Sequence, residues 1–264
     1  MIPLARKPTL AVWKFASCDG CQLSVLDMEE ELLDIVGAVD IAFFLEATRK
    51  QAPPPYDISF VEGSVTTPGD AQRIVDIRKQ SEVLVTIGAC ATAGGIQALR
   101  NFADATEYAS QVYASPEYLD VLKTSEPIKK YVDVDYELFG CPIDKNVLLE
   151  FASSLLMGKS PRLPSGAVCT ECKMNGHPCL SVTQDKPCLG PVTRAGCDAL
   201  CIGYNRSCFG CFGPKEFANL SSLSQVYQDK NISNEELIRL YRTFNTGAES
   251  LAKESTRLTK MEQD

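Results

Sequence analysis

The sequence predicts an α/β protein: a doubly wound parallel sheet, then a small irregular cysteine-rich domain, then a helical tail. Three observations predict it. Short apolar runs (LAVWKF, DIAFFL, ISFVE, VLVTI) alternate with helical stretches over the first 160 residues, as strands buried on both faces and joined by crossover helices do. Eight of the twelve cysteines fall in residues 169–211, a run with almost no regular apolar period. After it the pattern is helical again, with a capping box at Ser233 and Glu236 and a stripe of Leu237, Leu240, Tyr241 and Phe244. The expected domains are residues 1–160, 161–216 and 217–264.

In chain order, residues 10–15 read as a buried strand that ends in the turn Ala16-Ser17-Cys18-Asp19-Gly20-Cys21. Val25, Leu26, Leu32, Leu33 and Val36 then recur at helical spacing, with Asp27, Glu29, Glu30, Glu31 and Asp34 on the other face. Residues 40–45 and 58–62 give the second and third strands, separated by a proline-rich loop at 51–55. A helix over 69–80 leads to a fourth strand at 83–87, apolar on both faces, and Gly88-Ala89-Cys90 follows at once. Residues 101–132 predict loop with one or two short helices. A last strand at 136–139 runs into Gly140-Cys141-Pro142, and Val147, Leu148, Phe151, Leu155 and Leu156 make residues 144–157 an amphipathic helix stopped by Gly158. Pro161 and Pro164 mark the boundary.

Composition bounds the function. With 264 residues, 45% hydrophobic and 23% charged, the chain buries an ordinary globular core. No apolar run approaches a membrane span, so direct membrane insertion is not expected. A formal net charge of -8 argues against nucleic acid and anionic lipid as partners. The first ten residues hold neither an apolar export segment nor a twin-arginine pair, so a cytoplasmic location with reduced thiols is expected.

The cysteine-rich segment has too little apolar content to offset the entropy of ordering it, so something bound to its sulfurs must hold it. Its spacings, C-x2-C, C-x3-C and C-x2-C with two single cysteines between, suit thiolates converging on two iron-sulfur clusters of four ligands each. Amides beside Gly190, Gly196 and Gly210 are candidate donors to sulfide. Disulfides need an oxidising compartment. Zinc is the stronger alternative, because Cys169/Cys172 and Cys208/Cys211 also have knuckle spacing.

Cys18, Cys21, Cys90 and Cys141 each follow a predicted strand, and in an open parallel sheet those loops gather at one edge. A third four-thiol site is expected there. Three such sites use every cysteine and are the arithmetic of an electron wire, with few acids, bases or pockets for substrate chemistry. The lone histidine, His177, is read as structural. Glu46 and Glu62 sit at strand ends and read as exposed carboxylates with a relay role as the alternative. Residues 63–67 (GSVTT) resemble a phosphate loop of flavodoxin type, which keeps a flavin carrier open as a rival.

The motifs Cys18-Asp19-Gly20-Cys21, Gly88-Ala89-Cys90 with Gly94-Gly95, and Gly140-Cys141-Pro142 resemble those of NiFe hydrogenase small subunits. The related electron-relay subunit of respiratory complex I has adjacent cysteines in the first motif, and this chain does not. CTECKMNGHPC, PCLGPVTRAGC and CFGC are similar to the delta subunits of cytoplasmic bidirectional, NADP-linked sulfhydrogenases, and the resemblance spans nearly all of residues 8–216. It implies a flavodoxin-like first domain and no catalytic residue on this chain, the nickel-iron site lying on a separate large subunit. It further implies three 4Fe-4S clusters: a proximal one on Cys18, Cys21, Cys90 and Cys141, a second on Cys169, Cys172, Cys179 and Cys188, and a third on Cys197, Cys201, Cys208 and Cys211. The partition of the last eight follows sequence order, and a crossed ligand is the alternative. Ile202 departs from the family, which usually has proline after this cysteine. The implied partners are the large subunit and iron-sulfur and FAD/NAD(P)-binding subunits, and the implied enzyme is an H2:NAD(P)+ oxidoreductase. The alternatives are a deazaflavin or heterodisulfide acceptor, or a zinc-stabilised binding module.

Overall fold

The fold is that of a computed structural model, which describes residues 6–28, 31 and 37–262. The chain divides into two compact units, Met1–Leu163 and Pro164–Asp264.

In the first unit, β1 (Thr9–Lys14), β2 (Asp40–Phe44), β3 (Tyr56–Glu62), β4 (Ser81–Ile87) and β5 (Tyr136–Leu138) form one sheet. Every pairing is parallel and the order is β2-β1-β3-β4-β5, the flavodoxin-type doubly wound order. Both faces are covered, which is why the strands read as continuous apolar runs rather than alternating ones. Leu10, Val12, Ile58, Phe60, Val85 and Ile87 belong to one core cluster, while Ala11, Trp13, Val61 and Leu84 belong to the other. On the second face Trp13 Nε1 donates to buried Ser59 Oγ at 3.2 Å, and Ser81 Oγ donates to the same oxygen at 2.7 Å.

The helices follow the apolar spacing. α1 (Gly20–Leu26) starts in the first cysteine turn; its expected continuation through Leu32, Leu33 and Val36 lies outside the described residues. α2 (Pro68–Lys79) has a proline in its first turn and a reciprocal capping box between Thr67 and Asp70. It buries Ile74 and Ile77. α3 (Gly88–Ala93) begins where β4 ends, so the expected loop around Cys90 is a short helix. α4 (Ala105–Val112) buries none of its residues. α5 (Lys145–Leu156) is capped by Asp144 and packs Leu148, Phe151 and Leu155 on the sheet.

The second unit is built from short helices, α6 (Val168–Met174), α7 (Leu180–Thr183) and α8 (Leu200–Gly203), and three longer ones, α9 (Leu220–Gln228), α10 (Asn234–Tyr241) and α11 (Glu249–Met261). Leu220, Tyr227, Leu237, Tyr241, Leu251 and Leu258 share one core with Val168, Cys172, Cys188 and Cys208. The apolar stripe of the tail thus packs on the cysteine-bearing loops of its own unit. A buried polar link runs through it: Ser224 Oγ donates to Glu254 Oε1 at 2.6 Å and lies 2.9 Å from the Tyr241 hydroxyl.

Candidate functional site

Parallel strands send their following loops to the same edge. The exits of β1, β4 and β5 carry Cys18 and Cys21, Cys90, and Cys141 respectively. These four are electrostatic neighbours: the Cys21 thiol is raised first by burial, then by the charges of Glu62, Cys90 and Cys141. Burial, with Cys141, Cys18 and Glu62, pushes Cys90 up to about 11. Cys141 is raised by burial, Cys18 and Glu62. Cys21 is buried and Cys18 exposed.

The backbone at this edge has no room for additional side chains. A Cβ on Gly88 would lie 2.3 Å from Cys21 Sγ, and one on Gly95 2.6 Å from Cys90 Sγ; both glycines have positive φ, +83° and +64°. A side chain at either place would be strained and would displace a sulfur.

Glu62, at the end of β3, is 2% exposed, so the expectation of an exposed carboxylate is wrong there; Glu46 is exposed. Glu62 Oε1 accepts from the Cys21 amide at 3.1 Å, and Oε2 is buried with no hydrogen-bond partner among the described residues. Burial holds the carboxyl above its usual range against the opposing amides of Cys21 and Gln22. Glu62 pairs with Lys14 of β1 on one side and Ile87 of β4 on the other, a placement no local pattern in the sequence carries. Gln97 was also not singled out: its Nε2 donates to the Ala16 carbonyl at 2.8 Å, and the Cys90 thiol faces its Oε1 at 3.6 Å. Its only sequence signal is its place just after Gly94-Gly95.

Residues 63–67, whose composition resembles a phosphate loop, are engaged otherwise. The Ser64 amide donates to Ala16, that of Val65 to Glu126, and those of Thr66 and Thr67 to the Asp70 carboxylate. With these N–H groups engaged, residues 63–67 offer a phosphate no cradle.

In the second unit Cys169 is pushed up to about 11 by burial and by Cys188, Cys172 and Cys179. Cys172 is raised by burial and by Cys188 and Cys179. Cys197, pushed up to about 11 by burial, has Glu171 and Cys201 as charged neighbours and the Ala199 and Leu200 amides as opposing donors. Cys208 is raised by burial, opposed by the Gly210 amide, and has Cys188 and Cys211 beside it. The Cys208 amide donates to Cys188 Sγ at 3.3 Å. At the glycines beside which donors to sulfur are expected, the Gly210 amide faces Cys208, whereas that of Gly196 donates to Glu171 Oε1 at 2.7 Å. The half-buried His177 ring packs against Gly203, and its backbone amide donates to the Cys172 carbonyl.

The tail holds these loops from outside. Asn245 Nδ2 donates to the Gly210 and Cys211 carbonyls, each at 2.9 Å, and Thr243 Oγ1 to the Phe209 carbonyl at 3.1 Å. Neither residue, nor Tyr227, carries a sequence signal of this role.

None of the twelve cysteines is in a disulfide. Among the described residues no three His, Cys, Asp or Glu side chains converge tightly enough to hold a single metal ion. Buried thiols that raise one another this way become thiolates only beside a compensating positive charge, which an iron-sulfur core supplies and FMN does not. The donor set fits such a core. No helix among the described residues is long and apolar enough to cross a membrane.

Residues 18–155 match the family described as NADH ubiquinone oxidoreductase, 20 Kd subunit. The sulfhydrogenase 2 subunit delta of Pyrococcus furiosus is 34% identical over 89% of this chain and 98% of its own length. A vhu-type chain of the F420-non-reducing hydrogenase of Methanocaldococcus jannaschii is 32% identical over 81% of this chain and 83% of its own. Among solved structures, a chain of an NAD+-reducing [NiFe]-hydrogenase in the H2-reduced state superposes with a TM-score of 0.56 at 30% identity, covering 60% of this chain and 96% of that one.

Proposed function

The chain belongs to the hydrogenase small subunits, within the family of the 20 Kd subunit of NADH ubiquinone oxidoreductase, and on that premise we propose that it is an electron relay between a nickel-iron large subunit and NAD(P)-reducing partners. The observation that carries the proposal is the gathering of Cys18, Cys21, Cys90 and Cys141 at one sheet edge, where a Cβ on Gly88 or Gly95 would collide with the Cys21 or Cys90 sulfur.

Three 4Fe-4S clusters would be held as follows: the proximal one by these four thiolates, a second by Cys169, Cys172, Cys179 and Cys188, and a third by Cys197, Cys201, Cys208 and Cys211. When bound, such clusters supply one-electron transfer at potentials set by burial and by hydrogen bonds to sulfur. This chain's residues do the tuning and positioning. The Gly210 amide stabilises charge on Cys208, and the Ala199 and Leu200 amides do so on Cys197. Glu62 fixes the Cys21 turn through its amide. Cys18, exposed at the edge of the first site, marks the side on which the large subunit would cover it. The complex would work in the cytoplasm, where thiols stay reduced.

The similarity to the F420-non-reducing hydrogenase chain favours a second reading, in which the same relay serves an acceptor other than a nicotinamide. Both readings meet one test. In the assembled enzyme, Cys90→Ser or Cys141→Ser is expected to abolish hydrogen-driven acceptor reduction while the large subunit still exchanges hydrogen isotopes. Undiminished acceptor reduction in a variant that has lost the proximal paramagnetic signal would overturn the proposal.

A further inference from the structure

We propose that a cationic groove in the second unit is the docking face for an acidic electron-carrier protein. The inference rests on the relay function proposed above. The groove, of about 470 Å3, lies between the loops around residues 186–187 and 205–209 and the outer face of α10. Pro187, Phe209 and Leu240 supply its apolar floor, and Lys186, Arg206 and Arg239 its charge, against a single lining acid, Glu236.

Three observations carry it. The chain as a whole is acidic, at -8, so a patch of the opposite sign is not what its composition would scatter there. Arg239 is paired with Glu235, but Lys186 and Arg206 are exposed and have no ion-pair partner among the described residues. Finally, the groove sits directly on the thiol-bearing loops: Pro187 precedes Cys188, and Ser207 and Phe209 flank Cys208.

Two hydrogen bonds brace the frame of the groove. Gln184 Nε2 donates to Asn205 Oδ1 at 2.7 Å, tying one loop to the other, and Thr243 on the tail holds the Phe209 carbonyl. Phe209 is 39% exposed although its neighbours Cys208 and Gly210 are buried, so an aromatic ring faces solvent one residue from a candidate ligand. An apolar floor with a cationic rim fits a protein with an acidic patch around its own redox centre. Opposite charge steers encounter, while the apolar contact seats the two centres close together.

The test uses the assembled enzyme with an acidic two-iron ferredoxin as probe. The second-order rate of hydrogen-driven ferredoxin reduction is measured against ionic strength for wild type, K186E/R206E and a charge-matched control elsewhere, K145E/R162E. The expected result is a fall of about tenfold or more at low salt for K186E/R206E, with most of the salt dependence gone and the control unchanged. Iron per chain, and reduction of a small uncharged quinone, are expected to stay at wild-type values. An unchanged rate and salt dependence in K186E/R206E, or an equal loss in the control, overturns the docking face. Inorganic pyrophosphate binding that K186E/R206E removes while ferredoxin kinetics stay intact also overturns it, because the groove would then be a small-anion site. Wild-type enzyme without iron on this chain instead refutes the relay reading itself, so the two failures are distinguishable.

Discussion

The Tyr227 hydroxyl closes a two-bond clamp on Cys188: it accepts from the Cys188 amide at 2.8 Å and donates to the Cys188 carbonyl at 2.7 Å. Both partners are buried. A residue of the tail therefore fixes the backbone of a candidate ligand 39 positions away. Tyr227→Phe keeps the ring and strands both backbone groups, so it is expected to cost about 1–3 kcal/mol. Urea unfolding measures that loss, and a changed paramagnetic spectrum of the reduced second unit separates a positioning role from packing alone.

Gly88→Ala tests the crowding at the sheet edge. Its Cβ would meet Cys21 Sγ at 2.3 Å, whereas a Cβ on Gly69 would find only Thr67 Oγ1, at 3.8 Å. The expected outcome is loss of about four iron atoms per chain for Gly88→Ala, and no loss for Gly69→Ala.

The ligand partition is tested by deletion. Cys172→Ala and Cys201→Ala are each expected to remove about four iron atoms, with different paramagnetic signals lost. The Cys208 amide on Cys188 Sγ links the two sets, so Cys188→Ala is expected to disturb both signals. Loss of the same signal in the Cys172 and Cys201 variants would require a different partition.

Stability in acid depends on Asp57. Burial pushes its carboxyl up, but hydrogen bonds from the Arg6 guanidinium and from the Thr9 amide and hydroxyl more than offset this and hold it below the usual range. With the folded pKa below the unfolded value of about 3.9, the stabilisation is present above that value and is lost as pH falls through the folded one. Asp57→Asn is expected to lower stability at neutral pH by roughly 1–3 kcal/mol and to flatten the acid limb below about pH 5. The fluorescence of Trp13, the single tryptophan, follows the transition.

The sheet was legible because both faces are apolar, so four strands announce themselves as runs. The fifth, Tyr136–Leu138, was legible from the short run YELF at 136–139, which leads into Gly140-Cys141-Pro142. The places of Cys18, Cys21, Cys90 and Cys141 after strands were legible from the strand pattern. What the sequence could not carry were relations made by packing: the burial of Glu62, the facing of Gln97 and Cys90, and the hold of Tyr227 and Asn245 on the cysteine loops. The resemblance of the GSVTT loop to a phosphate loop is settled by packing too. Its composition suits a phosphate, but its amides are taken by Ala16, Glu126 and Asp70, which lie elsewhere in the chain or follow in the helix.

The most direct measurement is iron, acid-labile sulfide and zinc on this chain, isolated without oxygen together with its partner subunits and corrected for theirs. Three four-iron centres predict about twelve iron and about twelve sulfide per copy, with no zinc. Stoichiometric zinc, or iron and sulfide near four, would contradict the account of twelve thiols serving three clusters.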